Sequence, residues 1–115
     1  FNESDYISLH TPLTTETKHL INLDVINNHL TKKPVIINTA RSGLVETKSI
    51  IKGLEANKIS GYLCDVLDQE PITKNENLVG LNNVIITPHV GSRTYENVEN
   101  QALKAINNLI DFIVV

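Results

Sequence analysis

Two histidines, an arginine, an aspartate and a glutamate stand at the ends of four short apolar runs in this 115-residue chain. His10 follows Tyr6–Leu9, and Arg41 follows Val35–Asn38. Asp65 and Glu70 lie at and beyond the end of Ile59–Val66, and His89 follows Val84–Thr87. If the runs are parallel strands, all five groups gather on the edge where ligands of open α/β sheets bind, beyond the carboxyl ends of the strands. A histidine there can move protons near neutral pH, with carboxylates and a cation beside it. Singly, each has a plainer reading: Arg41 as a surface cation, Glu70 as a solvated loop carboxylate, Asp65 as the cap of the following turn. Their joint placement on one edge favours the chemical reading over independent accidents. His19 and His29 lie in a helical region and read as solvated residues without a function.

Two rival chemistries lack their signatures. The chain has no Cys-x-x-Cys and no His-x-x-x-His, so no local zinc site is expected and no metal ligand is assigned. A serine hydrolase would need a Gly-x-Ser-x-Gly elbow, which is missing.

The elements that must position these groups are legible from hydrophobic period. The four runs are rich in valine and isoleucine and nearly continuous, as strands buried on both faces are. Between them lie helical patterns over 17–30 (Leu20, Ile21, Val25, Ile26, Leu30) and 46–57 (Ile50, Ile51, Leu54). A last helix over 95–113 carries Val98, Ala102, Ala105, Ile106, Leu109, Ile110 and Ile113 in one stripe. Thr94 is expected to cap it, with Glu96 in the first turn. Thr73-x-x-Glu76 reads as a capping box for a short helical turn. Strands alternating with helices predict an α/β fold with a parallel sheet.

Composition bounds the partners. The chain is 41% hydrophobic and 20% charged, an ordinary globular balance. Its net charge of -3, from 10 basic and 13 acidic residues, offers no cationic field, so neither nucleic acid nor a membrane surface is expected as partner. A single cysteine, Cys64, forbids an internal disulfide and suits a reducing, cytoplasmic compartment. No apolar run approaches the ~20 residues of a membrane span. The chain contains no methionine, which predicts a partial sequence.

At the four loops the sequence resembles the D-isomer-specific 2-hydroxyacid dehydrogenases, phosphoglycerate dehydrogenase-like. The resemblance runs through Ser4–Thr14, Glu16–Thr17 and Leu20–Asn22, then Val35–Val45 with its arginine. It continues with Asp65-Val66 followed by Glu70-Pro71, and Thr87-Pro88-His89-Val90-Gly91 with Thr94 after it. Four motifs in order over residues 4–94 are specific where one alone would be weak. The resemblance implies the parallel-sheet half of a Rossmann-type NAD-binding domain, a fragment whose glycine-rich loop and substrate domain are absent from residues 1–115.

It also implies roles. Arg41 would bind the substrate carboxylate and polarise the 2-oxo group, since a guanidinium offers two parallel donors. His89 would be the general acid in reduction and the base in oxidation. Glu70 would orient His89 and stabilise its imidazolium. Thr11, Pro12 and Thr17 would lie along the cofactor pyrophosphate and ribose, and Thr39, Ala40 and Arg41 along the nicotinamide. Asp65 would bind the carboxamide, and His89, Gly91 and Ser92 would close the site, glycine letting the backbone approach the ring. The cofactor implied is NAD, and nothing in these residues rules out NADP. The substrate implied is a small 2-hydroxy acid or 2-oxoacid, with phosphoglycerate, glycerate or hydroxypyruvate, glyoxylate and lactate as candidates. The full-length protein is expected to be a homodimer.

Ser42 stands where the family usually has glycine, and no Gly-x-Gly-x-x-Gly occurs. Without that loop the 115 residues alone are expected to be inactive. A non-enzymatic dinucleotide-sensing regulator of the same fold is the alternative of another class. Formate oxidation, where glutamine typically replaces the glutamate, is disfavoured by Glu70.

Overall fold

The apolar runs form strands because valine and isoleucine fill a pleated, covered surface. In the computed structural model, which describes residues 1–113, β1 (Tyr6–Leu9), β2 (Val35–Asn38), β3 (Gly61–Cys64) and β4 (Val84–Ile86) make one parallel sheet. Their order across the sheet is β1-β2-β3-β4. Register aligns Ile7, Ile36, Tyr62 and Val84 in one row, and Leu9, Asn38, Cys64 and Ile86 in another. Both rows point to the covered face, since side chains of one parity share a side.

Two helices cover that face. Crossovers between consecutive parallel strands share one hand, which puts α1 (Leu23–His29) and α2 (Thr47–Glu55) on the same side. They pack against each other, and Ile21, Ile26, Ile36, Leu44, Ile50 and Ile59 are fully buried between helices and sheet. Gly53 permits the close approach: a Cβ there would lie 3.0 Å from Ile26 Cγ2 and 3.3 Å from Ile59 Cγ1.

The opposite face is open, contrary to the expectation of strands buried on both sides. Tyr6 and Ile85 are 71% and 60% exposed. α3 (Tyr95–Ile113) forms over the expected range, and Thr94 Oγ1 accepts from Asn97 N–H at 3.3 Å as its cap. None of the residues described in α3 is buried, so its apolar stripe covers nothing here. No helix among the described residues is long and apolar enough to cross a membrane.

Three boundaries differ from expectation. α1 begins at Leu23 rather than near 17, because Asn22 caps it, accepting from Val25 N–H at 3.1 Å. The preceding backbone is spent elsewhere: Ile21 N–H donates to Leu44 O and Glu46 N–H donates to Ile21 O, an isolated parallel bridge between the segments after β1 and β2. β3 is shorter at both ends, since Lys58 and Ile59 donate to Gly53 O and wrap the end of α2. The capping box does not form. Glu76 instead accepts from Leu78 N–H at 3.2 Å, and the β3–β4 crossover is a loop of turns pinned by the buried Leu78.

Candidate active site

Each strand delivers its polar residue to one edge, and each delivery has a visible cause. At the end of β2 the buried Asn38 shapes the arginine turn. Its Oδ1 accepts from Ala40 N–H at 3.1 Å, and its Nδ2 donates to Arg41 O at 2.9 Å. Arg41 is exposed, with its guanidinium folded back onto Ala40 O at 2.7 Å. Ser42 opens a short 3-10 turn, Ser42–Leu44, so the usual glycine is not needed there.

The loop after β1 is tied to this turn. Thr17 Oγ1 donates to Pro12 O and accepts from Thr14 N–H, both at 2.7 Å. Leu13 lies against Gly43, whose Cβ, if it had one, would be 2.9 Å from Leu13 Cδ2. His19 N–H also donates to Gly43 O. Thr11, Pro12 and Thr17 are thereby placed beside Thr39, Ala40 and Arg41 at adjacent strand ends. His10 Nε2 pairs with Ser8 Oγ at 2.7 Å.

After β3 and β4 the geometry is tighter. His89 Nδ1 and Glu70 Oε2 are 2.7 Å apart, and Glu70 Oε1 accepts from Leu67 N–H at 2.9 Å. The His89 hydrogen bond, then the Leu67 N–H, hold the Glu70 carboxyl below its ordinary range, against a small opposing effect of desolvation. With Nδ1 engaged, Nε2 of His89 is the ring nitrogen left for a substrate. His89 itself sits at φ 54, a left-handed conformation that aims its ring out of the turn.

Asp65 builds that turn from beneath. Its Oδ1 accepts from Thr87 Oγ1 at 2.5 Å and Val90 N–H at 2.9 Å, and its Oδ2 from Gly91 N–H at 2.7 Å. Burial opposes its ionisation, yet these donors and the charge of His89 together hold the carboxyl below its ordinary range. Asp65 thus caps a turn, but the distant one that carries His89. The reason for glycine at 91 is also local, since a Cβ there would lie 2.9 Å from Asp65 Oδ2.

Glu70, His89 and Ser92 share a cleft of about 620 Å³ with Leu67, Ile72 and Arg93. That volume suits a small molecule, and apolar walls with few polar groups are the usual lining of such sites. Arg41 does not line it; it stands on the neighbouring strand end. Thr39 and Ser92 are exposed at the edge. Sequence reasoning gave no role to Asn38, Thr87 or Arg93. Asn38 carried a signal: a polar residue at the inward parity of an apolar strand must find partners. Cys64 is buried, its thiol pushed up to about 11 by burial, and takes no part.

As a whole, the edge offers a carboxylate-oriented imidazole, a guanidinium on the next strand, and a sheet end of the kind that accepts dinucleotides. Comparison with known proteins agrees. The family model for "D-isomer specific 2-hydroxyacid dehydrogenase, NAD binding domain" matches residues 1–91. A glyoxylate reductase of Thermococcus litoralis is 43% identical over 110 residues, covering 96% of this chain and 33% of that protein. The NAD-complexed D-isomer specific 2-hydroxyacid dehydrogenase of Lactobacillus delbrueckii ssp. bulgaricus superposes with a TM-score of 0.84 at 28% identity, covering 97% of this chain and 38% of that one. D-lactate dehydrogenase with NAD+ from Lactobacillus jensenii gives 0.82 at 30% identity, covering 95% and 36%. The chain therefore spans about a third of the length of the curated relatives it matches. It belongs to the D-isomer specific 2-hydroxyacid dehydrogenase family, within that family's NAD binding domain.

Proposed function

We propose that the chain is the second half of the NAD-binding domain of an oxidoreductase that interconverts a D-2-hydroxy acid and its 2-oxoacid. The observation that carries this is the 2.7 Å pairing of His89 Nδ1 with Glu70, which leaves Nε2 free for proton exchange. A bound NAD or NADP supplies or takes up the hydride. Thr11, Pro12, Thr17, Thr39 and Ala40 would hold it along the strand ends, with Gly91 and Ser92 at the closing loop.

In reduction, His89 gives its Nε2 proton to the substrate's 2-oxo oxygen; in oxidation it takes that proton back. Arg41 swings from Ala40 O to grip the carboxylate with two donors. Glu70 stays ionised and keeps the Nδ1 proton and the ring orientation fixed while the Nε2 proton comes and goes. Asp65, which accepts from Thr87, Val90 and Gly91, acts on the reaction by fixing the His89 turn, and its Oδ2, bonded to Gly91 N–H alone, keeps a lone pair that could meet a carboxamide. The complete protein is proposed to be a homodimer, which sedimentation would test.

The test is NADH absorbance with the complete protein and glyoxylate, hydroxypyruvate, pyruvate or phosphohydroxypyruvate, beside His89→Ala. Loss of a general acid lowers turnover by roughly 10²–10⁴-fold. Turnover surviving in His89→Ala would sink the assignment, and NADH binding without turnover of any oxoacid would favour a dinucleotide sensor.

A further inference from the structure

Arg93 lies in the cleft of Glu70 and His89 and is not needed by the reaction above. Its place is set by the anchored turn: Arg93 N–H donates to Val90 O at 2.8 Å, and Val90 and Gly91 hang from Asp65. The guanidinium therefore leaves from the same fixed backbone as the His89 ring. An exposed arginine is ordinarily a solvated cation. Here the one carboxylate that lines the cleft with it, Glu70, is committed to His89 and Leu67. Among the described residues no carboxylate lies within 4.0 Å of Arg93. Beside Thr87 and Ser92, the wall is formed by the apolar Leu67, Pro71, Ile72, Ile86 and Pro88, which favour charge pairing inside the cleft over pairing in open water.

Such a cation is a receptor waiting for an anion, planar and able to donate twice to a carboxylate or a phosphate. Arg41 already accounts for the carboxylate next to the reacting carbon. We propose that Arg93 determines specificity by receiving a second anionic group at the far end of the substrate. The preferred substrates are then 2-oxoacids, and the matching 2-hydroxy acids, that carry two anions. This rests on the dehydrogenase reading and narrows it.

The experiment uses the complete protein with NADH and four oxoacids: glyoxylate and pyruvate with one anion, 2-oxoglutarate with a second carboxylate, phosphohydroxypyruvate with a phosphate. Each is run with wild type, Arg93→Ala, Arg93→Lys and His89→Ala. The wild type is expected to favour one doubly anionic substrate, and which one identifies the second anion. Arg93→Ala should lower kcat/KM for it by roughly tenfold to a hundredfold, the value of a charge-assisted pair. The loss should lie mainly in KM, Arg93→Lys should recover part of it, and glyoxylate should change by less than about twofold. Equal losses on singly and doubly anionic substrates, or a wild-type preference for one anion, would overturn the role of Arg93 while His89-dependent turnover stands. No reduction of any oxoacid overturns the dehydrogenase reading and this inference together.

Discussion

Asp65 is the residue on which the His89 turn hangs. It is buried, and its two oxygens accept from three donors of one turn, so its removal strands the Val90 and Gly91 amides and frees the loop of His89. Asp65→Ala should cost about 1–3 kcal/mol in unfolding experiments, the price of unmade buried hydrogen bonds. It should also lower kcat more than it weakens cofactor binding. Gly91→Ala should cost a similar ~1–3 kcal/mol through the 2.9 Å contact with Asp65 Oδ2. In the Asp65→Ala background that cost should largely vanish; strictly additive losses would place the clash elsewhere. Both Asp65 and Glu70 ionise more readily in the fold than free. The folded state then binds fewer protons, so this stabilisation is complete above the ordinary carboxylate range, ~4, and is lost as pH falls below it. Hydrogen exchange at Val90 and Gly91 should show protection declining below about pH 4, with a shallower decline in Asp65→Asn. The placement of Arg41, Glu70 and His89 beyond strand ends was legible in the sequence because each follows an apolar run. The three hydrogen bonds of Asp65 were not, because they link residues more than twenty positions apart.

At the scale of elements, strand positions follow from the valine and isoleucine runs, whereas ends are decided by whichever backbone partner is nearer. Residues 17–22 have the apolar spacing of a helix, but Ile21 finds Leu44 and Glu46 first. Thr73 and Glu76 have the spacing of a capping box, but no apolar helical face follows to make a helix worth capping. The α1–α2 contact gives a prediction whose sign needs arithmetic. Gly53→Ala gains up to about 1 kcal/mol of helix propensity. It also drives a methyl to 3.0 Å from Ile26 and 3.3 Å from Ile59, two fully buried side chains with little room to move. Overpacking of that kind costs about 1–3 kcal/mol. The packing effect wins, and chemical denaturation should show a net loss of roughly 0–2 kcal/mol, where an exposed helical glycine would show a gain. A clear stabilisation would mean that α1 slides away from α2 at little cost.

Across the whole molecule the two faces of the sheet are unequal in burial although nearly equal in composition. Ile36 is fully buried under α1 and α2, and Ile85 is 60% exposed on the other side. That asymmetry was not legible, because a run such as Val84-Ile85-Ile86 lacks the polar alternation that marks an exposed face. It announces that both sides are apolar without saying what covers them. The same holds for α3, whose stripe was read correctly and whose partner was not readable at all. Lysine placed at each site separates the two faces. In the 115-residue chain Ile36→Lys buries a charge without a partner and should cost about 3 kcal/mol or more. Ile85→Lys replaces an exposed side chain on an open face and should stay within about 0.5 kcal/mol. Denaturant midpoints of the two variants give the comparison directly. If Ile85→Lys proved as costly as Ile36→Lys, the open face would have to be covered in solution. The apolar stripe of α3 would then be the cover within reach, folded back over the strands it leaves.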